Sequence, residues 1–134
     1  VVQDMGGGGK YRRFRVDVLC LALGMTPLAE LAAMRGCRMV YHAGLGGFFP
    51  WHDEDMRTDQ PGVYVAGDAA GVEEASIAME EGRMAGLSVA KDLGAIKERQ
   101  AERKRTCIRK HLDELRGGPH GAAKLEAKRS ICQK

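Results

Sequence analysis

The chain has 134 residues and a mass of 14.6 kDa, room for one domain or pieces of two but not for an enzyme with two complete nucleotide-binding halves. At 44% hydrophobic and 29% charged residues, the composition excludes wholesale disorder, and no run approaches the roughly 18–20 apolar residues of a membrane span. The net charge of +3 divides into 9 Lys/Arg against 13 Asp/Glu over residues 1–94 and 12 against 5 over residues 95–134.

In chain order, Val1–Asp4 and Lys10–Leu23 read as a hairpin around Gly6–Gly9. The second strand alternates from Tyr11 to Val16 and is continuously apolar from Val18 to Leu23, the pattern of a strand buried on both faces. The four glycines lack GxxxxGK[ST] and precede a strand instead of a helix, so they read as a turn and not a phosphate loop. A chain opening on Val1 inside a strand, without a signal or transit pattern, reads as a fragment or trimmed subunit. Leu28–Met34 reads as a short helix, with Thr26 as N-cap, Pro27 at the first helical position and Gly36 as the stop. Arg38–His42 reads as a strand, Gly44–Gly47 as a turn, and Phe48–Trp51 as extended. His52–Pro61 is polar and irregular, and Val63–Ala66 reads as a buried strand.

Glu73–Leu93 reads as a long helix on which Gly82 and Gly86, four apart, permit close backbone packing. Residues 95–116 form a charged helix stopped by Gly117-Gly118-Pro119, and 120–134 a last short helix or a frayed end. The basic tail is read as a solvated helix face with little to bury. It has no aromatic residue for base stacking, so nucleic acid is not an expected partner, and without a long apolar run neither is a membrane. Cys20, Cys37, Cys107 and Cys132 contain no CxxC and no paired metal spacing, which fits a reducing, cytoplasmic compartment. Cys20 is expected buried and Cys37 half-buried.

The chemistry concentrates in Thr58-Asp59-Gln60-Pro61-Gly62-Val63-Tyr64-Val65-Ala66-Gly67-Asp68 and the helix after it. A strand ending at Gly67 and Asp68 before a helix start is where an open parallel sheet binds ligands. Gly67 permits close approach and Asp68 offers an acceptor for a sugar or polyol hydroxyl. The residues alone leave a plain strand–turn–helix, with Asp68 as its N-cap, equally open. His42 and His52, near Asp53, Glu54 and Asp55, are expected to be satisfied surface residues and not a metal site. Trp51, Phe48 and Phe49 are expected in the core, with an exposed side if a partner subunit is missing, and Glu73 and Glu74 in a solvated first turn.

This Thr-x-x-Pro-Gly-Val-Tyr-Val-Ala-Gly-Asp segment resembles the second flavin fingerprint of the pyridine nucleotide-dependent FAD oxidoreductases. Val16–Pro27 resembles the strand ending in A-x-G-x-x-P that leaves their NAD(P)-binding domain, and Asp53-Glu54-Asp55-Met56-Arg57-Thr58 matches the segment between. Glu73–Gly86 and Thr26–Ala32 resemble a narrower branch: the FAD subunits of sarcosine oxidase, opine oxidase, hydrogen cyanide synthase and dye-linked proline dehydrogenase. The resemblance covers about residues 10–94. It implies an α/β fold, an incomplete Rossmann-like FAD/NAD(P)-binding module with a helical tail. Residues 1–27 would end the NAD(P)-binding domain, 28–94 belong to the FAD-binding domain, and 95–134 form the tail.

The resemblance further implies FAD as cofactor, with NAD(P) as a second candidate. Gly67 and Asp68 would lie at its ribityl or pyrophosphate region, and the backbone amides of Ala75, Ser76 and Ile77 at its isoalloxazine. The flavin does the chemistry, so no catalytic residue is assigned. Hydride would pass between FAD and an amino acid, a secondary amine or NAD(P)H. Both GxGxxG turns, a redox CxxC and an iron–sulfur cysteine set are absent from the sequence. The implied partner is therefore an N-terminal flavoprotein portion or a partner subunit, beside a small-molecule substrate. The alternatives are a thioredoxin reductase- or NADH oxidase-like enzyme, or a non-catalytic module that docks on a flavoprotein; the isolated chain is expected to be inactive.

Overall fold

The computed structural model describes residues 2–3, 11–12, 14–118 and 121–132. Val2–Gln3 (β1) pairs antiparallel with Tyr11–Arg12 (β2), so the expected hairpin closes; its Gly6–Gly9 turn lies outside the described residues, as does Pro119. The strand does not continue to Leu23. Residues 14–29 form no helix or strand, and Val18, Leu21 and Leu23 stand 76%, 68% and 88% exposed. Cys20 is exposed as well. A strand buried on both faces needs a paired neighbour and a covering layer, and the described residues provide only two two-stranded antiparallel ribbons.

Glu30–Met34 (α1) starts later than the sequence suggests. Ala29 is its N-cap, not Thr26, and no side chain caps it. Tertiary contact explains the shift. Pro27 and Ala29 are buried, and a Cβ added to Gly46 would lie 2.8 Å from the Met25 carbonyl and 3.2 Å from Pro27 Cδ. That seat overrides a capping preference of about 1 kcal/mol.

Met39–His42 (β3) and Gly47–Pro50 (β4) form the second ribbon, with Met39 opposite Pro50 and His42 opposite Gly47. A 3-10 turn at Ala43–Leu45 joins them and ends at Gly46, whose φ of +89° suits glycine. The ribbon separates its aromatics by side. Phe49 is buried, while Tyr41 and Phe48 are exposed and lie 4.9 Å apart. Gly121–Cys132 (α4) covers the inner side, where Leu45 and Phe49 pack with Ala127 and Ile131. Half-buried Trp51 donates its indole N–H to the Ile131 carbonyl at 2.9 Å.

The larger core lies between Ala75–Asp92 (α2) and Glu98–Arg116 (α3). Ile77, Met84 and Leu87 of α2 meet Ala101, Ile108 and Leu112 of α3, with Met56 from the preceding loop. The tail is therefore not a solvated face. Its charged residues are exposed on one side, but positions 101, 105, 108, 112 and 116 make a buried stripe at helical spacing. Gly82 and Gly86 face open space, so their spacing serves no close packing among the described residues.

Between ribbon and helix, residues 52–65 form an irregular meander with isolated bridges His52–Thr58 and Arg57–Tyr64. The strand expected at Val63–Ala66 shrinks to the bridge at Tyr64, for want of the same neighbours as Val18–Leu23. The Asp53–Thr58 segment is structural here. Arg57 donates to both carboxylate oxygens of Asp92 at 2.8 and 2.9 Å, and the Tyr64 hydroxyl donates to Asp92 at 2.6 Å, tying the meander to the end of α2. Cys37 is fully buried, not half-buried, with its Sγ 3.6 Å from Thr58 Oγ1.

Candidate functional site

Gly67–Ala70 forms a single 3-10 turn laid on the first turns of α2. Gly67 has φ +65°, and a Cβ there would sit 3.4 Å from the Ala78 Cβ. Gly67→Ala is expected to cost about 1–2 kcal/mol from its left-handed backbone alone, read as a lower midpoint in urea unfolding. Asp68 follows, exposed, at the start of the turn. The α2 N-terminus lies beside it. Glu74 is the N-cap but makes no side-chain cap, so early backbone N–H groups stay open to a ligand.

The structure sorts the five expected site residues. Gly67 and Asp68 share the turn, and Ala75 and Ser76 are exposed at the helix start. Ile77 departs from expectation as an amide donor. Its N–H already donates to the Glu74 carbonyl at 3.0 Å, and its side chain is buried in the α2–α3 core. An amide that closes the first helical turn is not free for a ligand. The Gly67 N–H is likewise engaged, donating to Glu81 Oε2 at 3.0 Å.

Behind the turn lies a buried ionic network. Arg116 of α3 donates from Nε and Nη2 to the two carboxylate oxygens of Glu73 at 3.0 and 2.5 Å, and from Nη2 to Glu81 at 2.7 Å. Lys128 of α4 donates to Glu81 at 3.0 Å and to the Ala70 carbonyl at 2.7 Å. All four side chains are at most 9% exposed. Two carboxylates face two cations, so the buried charges balance, as a low-dielectric interior requires. Glu73 is thus not in a solvated first turn. Burial pushes its carboxyl up, but the hydrogen bonds and charge of Arg116, with the charge of Lys128, hold it below the usual carboxylate range.

His52 completes this wall. It is fully buried and not a surface residue. Nδ1 lies 3.0 Å from the Pro50 carbonyl, which can only accept, so the ring proton is on Nδ1. Nε2 is then bare and faces the Lys128 ammonium at 3.4 Å. Burial first and Lys128 second push its pKa down to about 4, so the ring is neutral. Among the described residues no group of three or more His, Cys, Asp or Glu is placed to hold a metal ion, and no helix is long and apolar enough to cross a membrane.

A signal for this network was present in the sequence. Glu81 falls four residues after Ile77 and three before Met84, on the core face of α2. Arg116 falls four after Leu112 on the core stripe of α3. A charge on an apolar stripe is read as buried and paired. What spacing cannot supply is the partner on another helix.

Residues 4–82 match the family model described as Pyridine nucleotide-disulphide oxidoreductase. Over 120 residues the chain is 35% identical to the A subunit of opine oxidase from Agrobacterium tumefaciens (strain Ach5), covering 90% of this chain and 23% of that protein. Over 71 residues it is 38% identical to the corresponding opine oxidase protein of Rhizobium meliloti (strain 1021), covering 53% of this chain and 16% of that protein. The chain thus spans less than a quarter of the length of these relatives. No solved structure matches it.

Proposed function

The chain belongs to the pyridine nucleotide-disulphide oxidoreductase family, and from that premise we propose that it supplies part of the FAD site of a flavin-dependent oxidoreductase. One observation carries the reading. Asp68 is exposed on a turn that rests on α2, with Gly67 over Ala78, and the α2 start at Ala75 and Ser76 is exposed as well. The donor set fits the cofactor. A carboxylate accepts from polyol or ribose hydroxyls, and helix-start amides donate to an electron-rich ring edge or a phosphate oxygen. The α2 dipole favours negative charge at the same place.

FAD bound there would supply a two-electron acceptor for oxidation of a C–H next to an amine nitrogen. This chain's residues bind and orient. Asp68 holds hydroxyls, and the Ala75 and Ser76 amides fix the polar edge. The relatives' name suggests an opine, an N-substituted amino acid, as the substrate class. It also suggests assembly with other subunits, which the exposed apolar run of Val16, Val18, Leu19, Leu21 and Leu23 supports as a surface to be covered. The family's name keeps NAD(P)H as the second candidate reductant.

The test is flavin retention in the complete gene product. Asp68→Ala is expected to weaken FAD affinity roughly ten- to hundredfold, the worth of one charge-assisted hydrogen bond of about 1.5–3 kcal/mol. Asp68→Asn should lose less, because its amide oxygen still accepts. Exposed Glu74→Ala is the control and should retain the flavin. Unchanged FAD affinity in Asp68→Ala would overturn the assignment of this turn.

A further inference from the structure

Both ends of the Gly67–Ala70 turn are gripped by buried side chains, while Asp68 is exposed. A 3-10 turn leaves its first N–H and last C=O without internal partners. Here the first N–H goes to Glu81 Oε2 at 3.0 Å and the last carbonyl to Lys128 Nζ at 2.7 Å. Lys128 and Glu81 also bond each other at 3.0 Å, closing a ring from α2 through the turn to α4. Ala70 is completely buried, so its carbonyl has no water to fall back on. Arg116 holds the other side of Glu81 Oε1, leaving that carboxylate no freedom to swing away. Glu81 and Lys128 lie 47 residues apart in the chain, and Lys128 belongs to a helix that presents no residue of the flavin fingerprint.

We propose that Glu81 and Lys128 are positioning residues for the cofactor, fixing the Gly67–Ala70 turn at both ends so that Asp68 meets the flavin's hydroxyls already in place. The inference rests on the FAD reading given above. It assigns the C-terminal helices a part in cofactor affinity as well as in stability. A preset turn loses less conformational freedom on binding than a loose one, and the difference appears as affinity. The Lys128 grip therefore acts through Asp68 and through no contact of its own with FAD.

The experiment is a double-mutant cycle on FAD affinity in the complete gene product, measured by flavin titration well below the unfolding temperature of every variant. Lys128→Met should raise the Kd about tenfold in the wild-type background and less than twofold when Asp68 is already Ala. The exposed Arg99→Met should leave the Kd unchanged in both. If Lys128→Met does not fold, the cycle is run on Lys128→Met/Glu81→Gln, which removes one charge of each sign and keeps an acceptor for the Gly67 N–H. An equal rise in both backgrounds means a merely structural role and overturns the inference, as does no rise at all. Wild type that takes up no FAD overturns the flavin reading and this inference with it. Wild type that binds FAD with additive mutations overturns this inference alone.

Discussion

Arg116→Met is expected to destabilise the chain by about 3–5 kcal/mol, the range for removing one partner of a buried ion pair. The guanidinium makes three charge-assisted hydrogen bonds to two carboxylates, and its side chain is only 9% exposed. Met fills much of the volume but leaves Glu73 and Glu81, both almost fully buried, sharing Lys128 as their cation. A domain is stable by about 5–15 kcal/mol in total, so the loss is a large fraction. Urea unfolding followed by circular dichroism reads it as a shift in midpoint at unchanged slope. Adding Glu73→Leu, which removes the matching negative charge, should recover more than half, because a balanced apolar replacement is tolerated where a half-broken pair is not. A loss under about 1 kcal/mol, typical of an exposed pair, would mean that the network is solvated. The same reasoning forbids trimming the chain at residue 94. That cut removes Ala101, Ile108 and Leu112 from the core together with both cations, and the remainder is expected to lose its cooperative transition.

The second large effect is with pH. The His52 pKa lies near 4 in the folded chain against 6.5 as its ordinary value. Between these values the unfolded chain binds a proton that the folded chain refuses, so stability rises with pH across the window. The contribution is complete above about pH 6.5 and is lost as the pH falls toward 4, a shift equivalent to about 3 kcal/mol. Lys128, Arg116 and Glu73 are the charged groups acting on the ring. The two cations add to the effect of burial, and Glu73 opposes it. The lowered Glu73 carboxyl extends the loss to more acid pH, because its stabilisation also disappears on protonation. Urea midpoints between pH 7.5 and 4 should fall steeply in wild type and less steeply in His52→Gln. Equal slopes in the two would show that His52 takes no part.

Period and punctuation determined much of this protein. The α2 helix, the charged helix after it and the β3–β4 ribbon with its turn follow from helical spacing, alternation and glycine, all of which act within a few residues. The Thr58–Asp68 fingerprint likewise marked the turn that carries Asp68 beside the start of α2. The tertiary structure alone decided what depends on a partner distant in sequence. Val18–Leu23 has the composition of an inner strand, yet a strand exists only through its neighbours, and here the run is exposed. Thr26 is a good cap by chemistry, but the seat of Met25 and Pro27 on Gly46 moved the helix start past it. The basic tail reads as solvated because charge is counted per residue. Three of its cations, Arg105, Arg116 and Lys128, are nevertheless buried. Arg116 and Lys128 meet Glu73 and Glu81 from 35 to 55 residues away, a distance at which sequence pattern has no physical reach and only packing brings charges together.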